Sequence, residues 1–195
     1  MTLTLHLIRH ASHALLGHSL AGRAPGVSLS AEGRAEAEAL AARLVTRPIE
    51  AIVSSPRERA RETAEPFARL RDLPIRLDAG FDEIDFGTWT GASFDALHGQ
   101  PEWRHWNVFR STAPIPGGET MHAVQARAVA AVQRIGQGEV AVFTHSDVIK
   151  ALLAHFLGMP LDLFPRVVIA PASRSVIRLF VNNVSIDGVN LPPTA

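Results

Sequence analysis

Two histidines and several arginines follow directly on strand-like apolar runs. Leu3, Leu5 and Leu7 alternate with Thr4 and His6 before Ile8, Arg9 and His10. Glu50 to Ser54 leads into Ser55, Pro56 and a run containing Arg57 and Arg59, and EVAVFT over 139–144 ends at His145. Ligands of an open α/β sheet bind outside the carboxyl ends of its strands, so these side chains are expected to meet at one edge. Guanidinium forks match phosphate oxygens, and a histidine among them can attack phosphorus or donate a proton. Taken singly, an arginine at a helix start is usually a solvated charge and a lone histidine usually structural. Their joint placement after three strands is what points to a phosphate site.

The elements that must position them alternate along the chain. Ala11 to Val27 holds Gly17, Gly22, Pro25 and Gly26 without a sustained period, which predicts a long loop. Ser30 is the expected N-cap of a helix through AEGRAEAEALAARLV, with Glu32 in the first turn. Pro56 is expected in the first turn of a second helix through RERARETAEPFARLRDL. Ile75 to Leu77 is a short apolar piece, and the segment from Gly80 to Gly118 is weakly helical and expected to cover the site. Helices are predicted over 119–135 and 147–157, and strand-like segments near Val167 to Ile169, Ser175 to Val181 and Val184 to Val189. Strands alternating with helices imply an α/β fold: a mostly parallel central sheet with helices on both faces.

Composition sets the limits. The 195 residues are 47% hydrophobic and 19% charged, enough for a core and too little charge for a disordered chain. We expect one domain over 1–195 with an insertion at about 80–118. Nineteen basic residues balance nineteen acidic ones, leaving no overall field for a nucleic acid or an anionic membrane, so neither is an expected partner. With no cysteine there is no disulfide framework or thiol nucleophile. Arg9 and His10 interrupt the N-terminal apolar stretch before signal-peptide length, and Lys150, His155 and Asp162 break the longest later one. The expected location is the cytoplasm.

Other motifs fail on context. Gly136 to Ala141 satisfies GxGxxA but runs from a helix into a strand, the reverse of the dinucleotide order. The chain has no GxxxxGK[ST] loop and no GxSxG elbow, and contiguous His145-Ser146-Asp147 is not a spatial triad. None of the nine histidines shows HxxxH spacing with a nearby carboxylate on a confident helix, so no metal is expected.

The same segments, in order, resemble the histidine phosphatases of the phosphoglycerate mutase-like superfamily. LHLIRHA is similar to the strand-RHG opening, which implies Arg9 as phosphate clamp and His10 as the histidine that becomes phosphorylated. SSPRERARETA resembles SSPLxRAxQTA and implies Arg59 as the second phosphate arginine. FDEIDFGTWTG looks like LxExxFGxWxG and makes Glu83 the implied general acid. PGGET is similar to PGGES, and FTHSDVIKALL to VSHGxxIRxLL, which implies His145 as the second pocket histidine. Gly87 and Gly91 then permit a tight loop, while Trp89, Trp103, Trp106 and Phe109 are expected to pack rather than bind substrate.

The chain departs from the pattern at Ala11, His13, Leu16, Ser146 and Lys150, where the family has Gly, Thr or Ser, Asn, Gly and Arg. Leu16 removes a phosphate donor, and Ser12, His13 or Arg23 of the same loop is expected to supply a substitute. The resemblance implies hydrolysis of small phosphomonoesters without metal or cofactor. A phosphoglycerate mutase is the alternative, disfavoured because Phe94 to Gly118 offers just Arg104 and Arg110 as basic side chains for a second anionic group. A non-catalytic phosphate-binding module is the other, disfavoured because Glu83 would have little use there. A homodimer is left open, since relatives are often dimers but no apolar stripe names an interface.

Overall fold

In the computed structural model, which describes residues 2–193, a six-stranded sheet carries helices on both faces. The strands are β1 Leu3–Arg9, β2 Ala51–Ser54, β3 Ile75–Leu77, β4 Gly138–Thr144, β5 Arg174–Leu179 and β6 Val184–Leu191, in the order β3-β2-β4-β1-β5-β6. The ladders β2–β3, β2–β4 and β1–β4 are parallel; β5 runs against both β1 and β6.

β1 and β4 are central and covered on both faces; β4 is accordingly apolar from Val140 to Phe143, whereas β1 alternates and buries His6 against Glu139. Leu5, Leu7 and Val142 face a core shared with α5 Met121–Ile135 and α6 Ser146–Leu157. Ile8, Ala141 and Phe143 face the opposite core, built with α1 Ala31–Leu44 and α2 Glu58–Arg71. The segment between β3 and α5 folds into two 3₁₀ turns and the short helices α3 Phe94–His98 and α4 Pro101–Val108. Trp89, Trp103 and Trp106 stack edge to face or tilted and are buried there, as expected, whereas Phe109 is exposed.

Ser30 caps α1 as expected, accepting from the Gly33 N–H at 3.0 Å. Its own N–H donates to the Ser12 carbonyl at 3.0 Å, tying the helix start to the loop after β1. Gly33 is needed for that approach, because a β-carbon there would sit 1.9 Å from the Ser12 carbonyl oxygen. Gly33→Ala therefore forces backbone apart and is expected to destabilise the protein by about 1–3 kcal/mol, measured by urea unfolding.

Two expectations about elements fail. Pro56 lies before the Arg57 N-cap of α2 rather than in its first turn, and α2 instead carries Pro66 within its length. Val167 to Ile169 is not a strand: after a 3₁₀ turn over Leu161–Arg166 it runs along the cavity described below without joining a ladder. Among the described residues no helix is long and apolar enough to cross a membrane.

Candidate active site

Ladder register brings the histidines together. Arg9 pairs with Thr144 across β1 and β4, so the next residues, His10 and His145, emerge side by side at the carboxyl edge. The His10 N–H donates to the Thr144 carbonyl at 2.9 Å, and the imidazole centroids lie 5.2 Å apart. One strand over, the Ser55 N–H donates to the Phe143 carbonyl at 2.9 Å, which places the start of the α2 turn at the same edge.

The His10 Nδ1 lies 2.8 Å from the Ala11 carbonyl oxygen. A carbonyl can only accept, so Nδ1 carries the proton and Nε2 keeps the lone pair. Burial above all, then the charges of Arg59 and Arg9, holds the ring well below the ordinary histidine range and therefore neutral at pH 7. Its backbone is fixed from α2: the Ala11 N–H donates to Thr63 Oγ1 at 2.9 Å, and that hydroxyl donates to the Arg59 carbonyl at 2.6 Å.

Arg59 is 1% exposed. Its Nη2 donates to the Gly22 carbonyl at 2.8 Å, while Nε and Nη1 are buried with no partner among the described residues. Arg9 repeats the pattern: Nη1 donates to the Ile169 carbonyl at 2.6 Å and Nε is buried and unpaired. Each buried donor without an acceptor costs about 1–3 kcal/mol, so their accumulation beside His10 is the signature of a site built for an anion with several oxygens.

Glu83 is held by its main chain. Its carbonyl accepts from Arg23 Nε at 2.8 Å and Arg127 Nη2 at 3.0 Å, and the Glu119 carboxylate binds both arginines. Its Oε2 lies 3.7 Å from Arg59 Nη2 and 3.5 Å from His145 Nδ1. Burial pushes this carboxyl up to about 7, against the opposing pull of Arg59. On the far side of His145, Nε2 lies 2.8 Å from Ser55 Oγ, which donates to Asp82 Oδ1 at 3.2 Å. With its proton given to Asp82, Ser55 accepts from His145 Nε2–H, and Nδ1 turns toward Glu83 and Arg59. His145 is also held well below the ordinary range, by burial first and then Arg59 and His10.

Arg9, His10, His13, Arg59 and Glu83 all line one cavity of about 400 Å³. The His13 ring lies 5.2 Å from that of His10, tilted by 44°, with its Nδ1 buried and without a partner among the described residues, and burial followed by Arg59 and Arg9 lowers it to about 4. Ser12 and Arg23, expected as substitute phosphate donors, do not line it. Ser12 Oγ donates to Glu36 at 2.9 Å on the α1 side, and Arg23 is spent on the Glu83 carbonyl and Glu119. Leu16 stands in the cavity wall with Leu20, Phe86, Phe94, Val167 and Val168. The support of His145 by Ser55 and Asp82 has no local signal in the sequence, although both residues lie inside the segments SSPRERARETA and FDEIDFGTWTG.

Three separate segments bring potential metal ligands together in space: His10, Glu83 and His145 offer ligand atoms all within 4.8 Å of one another. A divalent cation there would face Arg59, 3.3 Å from His145 and 3.7 Å from Glu83, so the donor set suits an anion better.

An α/β sheet with paired histidines and arginines at its carboxyl edge belongs to the phosphate-handling class. More particularly, the chain belongs to the histidine phosphatase superfamily, branch 1, whose family model matches residues 5–192. Rv0525 of Mycobacterium tuberculosis is 33% identical over 172 residues, 83% of this chain and 82% of that protein. Phosphoserine phosphatase 1 of Hydrogenobacter thermophilus is 28% identical over 184 residues, 90% of this chain and 86% of that one. The solved structure of mycobacterial glucosyl-3-phosphoglycerate phosphatase Rv2419c aligns with a TM-score of 0.88 at 25% identity, covering 98% of this chain and 100% of that one. The mostly parallel sheet with helices on both faces is accordingly the phosphoglycerate mutase-like fold.

Proposed function

We propose that the protein is a metal-independent phosphatase that hydrolyses small phosphomonoesters through a phosphohistidine intermediate. The observation that carries this reading is the set of buried, unpaired guanidinium donors of Arg9 and Arg59 beside a neutral His10 whose free nitrogen is Nε2. The donors hold phosphoryl oxygens where charge must be stabilised through the transition state, and the His10 lone pair attacks phosphorus. Glu83, protonated below pH 7, gives its proton to the leaving oxygen; as a carboxylate it then takes one from the water that cleaves the phosphorus–nitrogen bond. His145 responds to the substrate: the dianion's charge offsets that of Arg59 and favours a proton on Nδ1, which donates to a phosphoryl oxygen. His13 supplies a further polar nitrogen near the position where Leu16 offers none.

The mutase alternative needs cations for a second anionic group, and the segment over 94–118 does not aim its arginines into the cavity. Arg104 Nη1 donates to the His98 carbonyl at 3.0 Å, and Arg110 is sandwiched between Trp106 and Phe164. We expect hydrolysis of an aryl phosphate and of natural monoesters at undiminished rate in excess chelator. Loss of activity on chelation, or phosphoglycerate isomerisation faster than hydrolysis, would overturn the proposal.

A further inference from the structure

The proposed chemistry leaves two charged cavity residues unused: Asp147 and Lys150, three residues apart near the start of α6. Asp82 and Glu119 each accept hydrogen bonds at 2.8 Å, but among the described residues the one side-chain hydrogen bond to Asp147 is a long one of 3.5 Å from Arg110 Nη1. Arg110 is fixed where it is, with its guanidinium 3.5 Å from the Trp106 centroid and Nη2 donating to Asn107 Oδ1 at 2.6 Å. The Lys150 ammonium stands 3.6 Å from the other Asp147 oxygen and makes no hydrogen bond among the described residues. An under-used acceptor and an under-used donor therefore sit side by side on the wall. They share the cavity lining with Glu83 and Arg9.

We propose that Asp147 and Lys150 select a phosphomonoester with a neutral polyol leaving group, one hydroxyl donating to Asp147 and its neighbour accepting from Lys150. This deepens the phosphatase reading and rests on it. Charge discriminates against the alternatives. An ammonium would join Arg110 and Lys150 as a further cation around Asp147, and an anionic group placed at Lys150 would confront the Asp147 carboxylate beside it. Hydroxyls meet neither repulsion and satisfy both partners, while Phe86, Phe94, Val167 and Val168 pack the carbon skeleton.

The test compares glycerol 1-phosphate, n-propyl phosphate and O-phosphoserine as substrates of the wild type, Lys150→Met and Asp147→Ala. A site that hydrogen-bonds a substrate hydroxyl rejects the analogue lacking it, so wild type should favour the glycerol ester over the propyl ester at least about tenfold in kcat/KM. That ratio should fall to within about threefold of unity in both variants, chiefly through KM for the glycerol ester. A variant that loses activity on both esters equally, keeping the ratio, would show a merely structural role and overturn the proposal. So would a wild-type ratio near one, or a preference for phosphoserine that disappears in Asp147→Ala. Failure to turn over any monoester, an aryl phosphate included, would overturn the phosphatase reading itself and the subsite with it.

Discussion

His10→Ala is expected to abolish turnover while leaving the anion site able to bind phosphate. Removing a covalent nucleophile from a site that acts as a unit costs on the order of 10⁵-fold in kcat. The guanidinium donors of Arg9 and Arg59 are positioned independently of the His10 ring, by the carbonyls of Ile169 and Gly22, and remain in place. The variant should fold normally, because the Ala11 N–H bond to Thr63 and the Thr144 ladder contact use backbone atoms of that segment. Equilibrium binding of inorganic phosphate, followed by titration calorimetry, should persist in His10→Ala. Turnover within tenfold of wild type would place the nucleophile elsewhere.

Glu83→Gln should show two opposite effects. For alkyl esters, whose leaving oxygen needs a proton, kcat/KM should drop by about 10²–10⁴-fold. An aryl phosphate departs without that proton, so its phenol should appear in a rapid burst followed by slow turnover, since activation of water still needs the carboxylate. The wild type should lose kcat/KM for alkyl esters as pH rises through about 7, the range in which Glu83 ionises, and the variant should lack that limb. The second effect is on stability. The folded-state value lies above the ordinary glutamate value, so the native protein binds more protons than the unfolded chain between the two. Stability from this group is fully present below about 4.5 and declines as pH rises toward 7, because the unfolded chain gains by ionising while the buried carboxyl keeps its proton. Glu83→Gln removes that loss and should be more stable than wild type at pH 8 by on the order of 2 kcal/mol, with little difference at pH 4. Equal thermal unfolding of the two proteins at pH 8 would contradict the assigned environment of Glu83.

The strand-end logic was legible because ladder register is set by apolar patterning: once Leu3 to Ile8 and EVAVFT are parallel neighbours, His10 and His145 must adjoin. Ser30 was legible as a cap from local chemistry alone. Ser12 and Arg23 were misjudged because proximity in a loop does not fix side-chain direction: Glu36 draws one toward α1, and Glu119 draws the other behind Glu83. Glu119 sits thirty-six residues after Glu83, and no local pattern signals that pairing. Val167 to Ile169 has strand composition but joins no ladder, since β1 is already flanked by β4 and β5 and the segment lies against the cavity rather than at an outer edge of the sheet. Its apolar side chains line the cavity instead, a role that composition does not distinguish from a strand. The grouping of His10, Glu83 and His145 arises from three separate segments, which a search for helical ligand spacing does not see.

The proposed mechanism passes the phosphoryl group through His10. The most direct measurement is rapid quenching of Glu83→Gln during the aryl phosphate burst under alkaline conditions, followed by peptide mapping. The expected result is one phosphoryl group per active chain, stable to base, labile to acid and located on His10. Burst-phase phenol release without a phosphorylated peptide, or with phosphate on any other residue, would contradict it.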